Sequence, residues 1–197
     1  ETSLAQIKET KMKRYTIGLI TLILTSSFAY GQDWPELGRY SENNKKYAQS
    51  SDNEDRVVFM GNSITEGWST ILPEFFKGKS YINRGISGQT TPQMLIRFRP
   101  DVIDLNPKVV IILAGINDIA ENTGPSTVKM ISDNIISMAD LAKINGINVI
   151  ISSILPAKGF PWNPGINPPP KISAVNKIIE QYAKENGMIY LDYSSSM

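Results

Sequence analysis

The 197 residues are 41% hydrophobic and 20% charged, with 20 basic against 19 acidic side chains and a formal net charge of +1. This balance suits one globular domain, and without a run of like charges it gives no electrostatic case for nucleic acid as a partner. Cysteine and histidine are both absent, which removes disulfides, a thiolate nucleophile, an imidazole base and the usual zinc ligands, so neither a metal nor a cofactor is expected.

Residues 1 to 31 read as an upstream extension followed by an export signal. Met12-Lys13-Arg14 gives a basic start, Ile17 to Leu24 a short apolar run, and Ala29-Tyr30-Gly31 the small residues of a cleavage site. Cleavage near Gly31 and a periplasmic or extracellular location are the expectation. The apolar run falls short of the roughly 20 residues of a membrane span, and no cysteine follows it to take a lipid, so no stable membrane anchor is expected. Residues 32 to 197 then make up a single domain.

That domain begins with a polar arm around Trp34-Pro35 and a short helix near Tyr40 to Ser50. Short β-branched runs follow at Val57-Met60, Tyr81-Asn83, Val109-Ala114, Val149-Ile154 and Ile189-Leu191, alternating with longer segments of helical period. The alternation predicts a parallel five-stranded sheet. Because Val109 to Leu113 is apolar at consecutive positions, helices should cover both faces, giving an α/β fold of the three-layer α/β/α sandwich type. Between the strands, Pro92 suits a first helical turn after Thr91, with Met94, Leu95 and Phe98 on an apolar face until Pro100 kinks or ends it. Ser126 is positioned to cap a helix burying Val128, Ile131, Ile135, Met138 and Ala142, and Gly146 stops it. A last helix turns Val175, Ile178, Ile179 and Tyr182 inward and stops at Gly187.

Parallel sheets bind ligands at the carboxyl ends of their strands. Three polar, glycine-containing loops sit at such ends: Gly61-Asn62-Ser63-Ile64-Thr65, Gly85-Ile86-Ser87-Gly88-Gln89-Thr90 and Gly115-Ile116-Asn117-Asp118. A nucleophilic serine needs a tight turn that exposes its hydroxyl and donors for the charge that develops on the carbonyl oxygen. Ser63, with its own N–H at a helix start, meets the first need. The Gly88 N–H and the neutral Asn117 side chain meet the second. Taken alone, each loop is more often a turn or a helix cap; three in order along one sheet fit a shared site better than three accidents.

At these residues the sequence resembles the SGNH hydrolase superfamily, the GDSL lipases and acylhydrolases. The resemblance implies a flavodoxin-like sheet, Ser63 as nucleophile, and Gly88 and Asn117 as oxyanion donors in a serine esterase that cleaves carboxylic esters. Asn62 replaces the usual Asp and Ile64 the usual Leu. The family's fourth motif, Asp-x-x-His, follows the last strand and supplies the base; here Tyr190-Leu191-Asp192-Tyr193 is followed only by four residues, to Met197. The expectation is therefore a fold without its last helix and a chain nearly inactive as it stands. Asp192 ends the strand itself, and Asp118 is expected to be a cap.

Six of the 12 prolines lie between Pro156 and Pro170, with Phe160 and Trp162 among them. This stiff loop is read as a rim, with Trp162 and Asn62 as substrate contacts. Small acyl groups on a carbohydrate or another soluble ester are the favoured substrates, with lysophospholipid or thioester types as the alternative the resemblance implies. Two other readings stand beside this one. Gly61 to Gly67 superficially suggests a phosphate loop, but Trp68 stands where its lysine belongs. A non-catalytic sugar- or ester-binding protein on the same scaffold is the other.

Overall fold

The computed structural model describes residues 33–48 and 55–197, and the expected export signal lies outside them. Five strands form the sheet: β1 (Val57–Gly61), β2 (Tyr81–Gly85), β3 (Val109–Leu113), β4 (Asn148–Ser152) and β5 (Ile189–Leu191). They are all parallel, in the order β2-β1-β3-β4-β5. The register sets Gly61 opposite both Gly85 and Leu113, so the three motif loops leave the sheet at one level.

The helices are α1 (Ser41–Ala48), α2 (Ser63–Ile71), α3 (Pro73–Phe76), α4 (Thr91–Asp101), α5 (Ile116–Ile119), α6 (Val128–Ile144) and α7 (Pro168–Glu185). The crossover from β1 to β2 runs one way along the sheet and the three later crossovers run the other. The right-handed rule for such crossovers then puts α2 on the opposite face from α4, α6 and α7. The direction reverses between β1 and β3, the strands that carry Ser63 and Asn117 at their ends. The α/β sandwich expected from the sequence is therefore present, with a switch point where the first and third motifs meet.

The two faces are not equally covered. On the side of α4, α6 and α7, Val58, Val110, Ile112 and Ile151 are buried against Met94, Phe98, Ile135, Met138 and Ile179. On the side of α2 and α3, Val109, Ile111 and Ile150 stay half-buried and Ile189 is exposed. The consecutive apolar run in β3 thus overstated its coverage among the described residues. Near β1 and β2 this second face is closed by rings: Phe59 packs edge-on against Trp68, Phe75, Phe76 and Tyr81 at centroid distances of 5.9, 5.9, 5.5 and 5.3 Å.

Three helix expectations are corrected. The cap of α6 is Thr127, whose hydroxyl accepts from Met130 N–H at 3.1 Å, one residue later than Ser126. Pro100 does not end α4, because the helix closes beyond it with Val102 N–H donating to the Phe98 carbonyl at 2.9 Å. In α7, Ile178 faces outward, and the buried stripe is Ile172, Val175, Ile179 and Ala183. Pro168, Pro169 and Pro170 occupy the first turn of α7, where the missing N–H groups would have lacked helical partners anyway.

Candidate active site

Ser63 is the first residue of α2 and is exposed, while its neighbour Asn62 is buried and serves as the N-cap. The Asn62 Oδ1 accepts from Ile64 N–H at 3.1 Å. Its Nδ2 is buried without a hydrogen-bond partner, and the residue lines a small cavity of about 10 Å³ together with Ile64, Leu113, Ile116 and Ile154. Close approach of α2 to β2 requires Gly85: a Cβ there would come within 2.1 Å of the Glu66 nitrogen and 2.7 Å of the Asn62 carbonyl oxygen.

The second loop is held from every side. Glu66, one turn into α2, accepts from both the N–H (2.9 Å) and the hydroxyl of Ser87, and its other oxygen accepts from Arg39 at 2.8 Å. Partial burial pushes the Glu66 carboxyl up, but the hydrogen bonds from Ser87 and the Arg39 guanidinium outweigh it and hold the group below the usual carboxylate range. On the far side, the Asn117 Nδ2 donates to the Gln89 carbonyl at 2.9 Å. Between these anchors Gly88 is exposed at φ +78, in the left-handed region, and its N–H has no backbone partner among the described residues. Asn117 is 6% exposed. An amide nitrogen carries two hydrogens, so one Asn117 N–H remains after the bond to Gln89.

Beneath the loops lies Arg97, fully buried in α4. Its Nε donates to Gln89 Oε1 at 2.6 Å and its Nη1 to Asp101 at 2.9 Å, while its Nη2 donates to the Gly61 carbonyl at 3.1 Å and the Arg84 carbonyl at 3.0 Å. One guanidinium therefore fixes the last residue of β1 and the residue after Gly88 together. Burial draws its pKa down, and Asp101 opposes that shift. The sequence carried a signal for this residue. Arg97 follows Met94 by three positions and precedes Asp101 by four, which puts a charge on an inward helical stripe with a partner one turn on.

Asp118 is buried and accepts from Thr91, the first residue of α4, through its N–H at 2.9 Å and its Oγ1 at 2.6 Å, while Thr90 and Gln93 form the capping box. Burial pushes its pKa up and the Thr91 hydrogen bonds draw it back. Asp192 accepts from Ser195 N–H at 3.1 Å beside an open groove of about 720 Å³ between α7 and the segment after β5. None of Ser63, Gly88 and Asn117 lines that groove.

Trp162 stands 65% exposed, with its ring 5.4 Å from that of the buried Phe160. Its Nε1 donates to Asn122 Oδ1 at 3.2 Å, and Asn122 Nδ2 donates to the Gly88 carbonyl at 3.1 Å. The tryptophan chosen from the sequence is thus tied to the second loop. Asn122, a polar residue in a turn, carried no sequence signal of its own.

The GDSL-like Lipase/Acylhydrolase family matches residues 59–197. The chain belongs to this family. The solved structure of a GDSL-like lipase from Bacteroides thetaiotaomicron VPI-5482 is 51% identical with a TM-score of 0.80, over 83% of this chain and 80% of the other. An arylesterase of Vibrio mimicus is 30% identical over 118 residues, 53% of this chain and 57% of the relative. An uncharacterized lipoprotein of Bacillus subtilis (strain 168) is 31% identical over 120 residues, 52% of this chain and 49% of that protein. The chain spans about half the length of these two curated relatives. Among the described residues of this GDSL family member, no group of three or more acidic side chains is placed to hold a metal ion, and no helix is long and apolar enough to cross a membrane.

Proposed function

We propose that the chain is a serine esterase in which Ser63 is the nucleophile and the N–H groups of Ser63, Gly88 and the Asn117 side chain receive the oxyanion. The observation that carries this reading is the Asn117–Gln89 hydrogen bond of 2.9 Å, which sets the third motif directly beside the second. In the acyl-transfer step Ser63 Oγ bonds to the carbonyl carbon and the carbonyl π electrons move to its oxygen. The three N–H groups stabilise that charge, and collapse of the adduct expels the alcohol as the acyl–Ser63 bond is kept. With no imidazole among these 197 residues, solvent water takes the Ser63 proton and gives one to the departing alkoxide, and a second water then cleaves the acyl–Ser63 ester to the free acid. Turnover by this chain accordingly stays near the residual about 10³- to 10⁴-fold over water that binding and an oxyanion hole supply.

Small acyl groups are the favoured substrates, because the cavity beside Asn62 and Ile64, about 10 Å³, is no larger than one water molecule and gives a long chain no room. A carbohydrate or aromatic alcohol suits the exposed ring of Trp162, in line with the name of the Vibrio mimicus relative. Export of the protein, with removal of residues 1–31 from a domain spanning 32–197, fits the basic-apolar-small order of the leader and the lipoprotein relative. The absence of histidine also favours a second reading, a sugar- or ester-binding protein without turnover. Hydrolysis of p-nitrophenyl acetate separates the two: the esterase reading expects a rate above background that Ser63→Ala removes. An equal rate in Ser63→Ala contradicts it.

A further inference from the structure

We propose that Asn122 is a positioning residue that couples the Trp162 rim to the Gly88 oxyanion donor. The inference rests on the esterase reading above and adds to it a residue that touches neither substrate nor nucleophile.

Three bonds of Asn122 make the case. Its side chain donates to the Gly88 carbonyl at 3.1 Å and accepts from the Trp162 indole at 3.2 Å, and its backbone N–H donates to the Asn117 carbonyl at 3.0 Å. The amide orientation is forced, because an indole N–H can only donate and a backbone carbonyl can only accept. One residue therefore contacts two of the three oxyanion-bearing residues, Gly88 and Asn117, and the rim aromatic. The turn that carries it is itself fixed. Glu121 sits at φ 60, Thr123 and Thr90 share a hydroxyl contact of 3.1 Å, and Asn163 Nδ2 from the rim loop donates to the Ala120 carbonyl at 3.2 Å.

Gly88 needs such a hold. At φ +78 and without a side chain it has wide torsional freedom, and the direction of its N–H depends on what fixes its two peptide planes. Glu66 secures the preceding residue through Ser87, and Asn122 secures the following plane through the Gly88 carbonyl. The exposed face of Trp162 is open to the alcohol part of an ester. A ring held by substrate keeps its indole N–H on Asn122, and the Gly88 N–H then stays aimed at the oxyanion. Binding at the rim is in this way spent on the transition state rather than on the ground state alone.

The test uses the full chain with p-nitrophenyl acetate as the probe, subtracting the rate of Ser63→Ala. Asn122→Ala should lower kcat by about tenfold with KM within about twofold of the parent, the pattern of a misaimed donor. Trp162→Phe keeps the ring and removes the indole donor, and it should reproduce part of that loss. Combining it with Asn122→Ala should add nothing further. Amide NMR spectra of the folded variants supply the second readout: Asn122→Ala should move the Gly88 amide and Trp162 indole resonances together. A kcat unchanged in Asn122→Ala, a loss confined to KM, or a stationary Gly88 resonance overturns the proposal. Should the parent chain show no Ser63-dependent rate, the esterase reading fails, and the NMR comparison still decides whether Asn122 couples rim and loop.

Discussion

Glu66 illustrates how the site depends on single groups that no motif names. Its carboxylate bridges Arg39 and Ser87, and hydrogen bonding holds its pKa below the ordinary value of 4.5. A carboxyl depressed on folding contributes stability that is complete above its unfolded pKa and is lost as pH falls through the folded one. Lowering the pH from neutrality should therefore leave the second loop intact down to the mid-fours and loosen it only below, read as a drop in melting temperature that Glu66→Gln no longer shows. A variant with the same acid sensitivity as the parent contradicts this tether. Residues such as Ser63, Gly88 and Asn117 were legible in the sequence because their types and places after strands match one chemistry. Glu66, Asn122 and Arg39 were not, because a polar side chain on a helix or turn looks the same whether it faces water or a loop folded over it.

Among the elements, α4 does the most to hold the loops in place. Its first residue, Thr91, donates to Asp118 from the third motif, and its buried Arg97 grips Gly61 and Gln89 while paired with Asp101. Breaking a buried pair by deleting one partner leaves an uncompensated charge and typically costs about 3–5 kcal/mol. Arg97→Met should destabilise the fold by that order in urea denaturation, and Arg97→Met combined with Asp101→Leu should recover part of it. A double variant no more stable than the single would show that the backbone bonds to Gly61 and Arg84, not the ion pair, dominate. Helix positions followed readily from apolar spacing, as in α6 with Ile131, Ile135 and Met138. The misjudged ends have local causes: Thr127 outcompeted Ser126 because its hydroxyl reaches Met130, and α4 runs only one residue past Pro100, so the missing proline N–H costs a single bond near the helix end.

For the whole molecule, strand number and parallel direction were legible from alternation, whereas strand order was not, since each β-helix-β unit obeys the same local rules whichever way it is laid. The order β2-β1-β3-β4-β5 matters because it creates the switch point that brings Ser63 and Asn117 to one crevice. Uneven covering of the sheet faces was also hidden, because Ile111 and Ile150 read as core in sequence and stay half-buried in the fold. The central claim, that this crevice performs acyl transfer on Ser63, has a direct measurement. An activated ester such as p-nitrophenyl acetate has a leaving group that needs no proton, while the acetyl-serine it forms does need an activated water. With no imidazole in the sequence, the second step is the slower one. Incubation of the chain with p-nitrophenyl acetate followed by mass spectrometry should find one acetyl group, on the peptide containing Ser63, absent in Ser63→Ala. Acetylation confined to lysines, or equal incorporation in Ser63→Ala, would contradict the assignment.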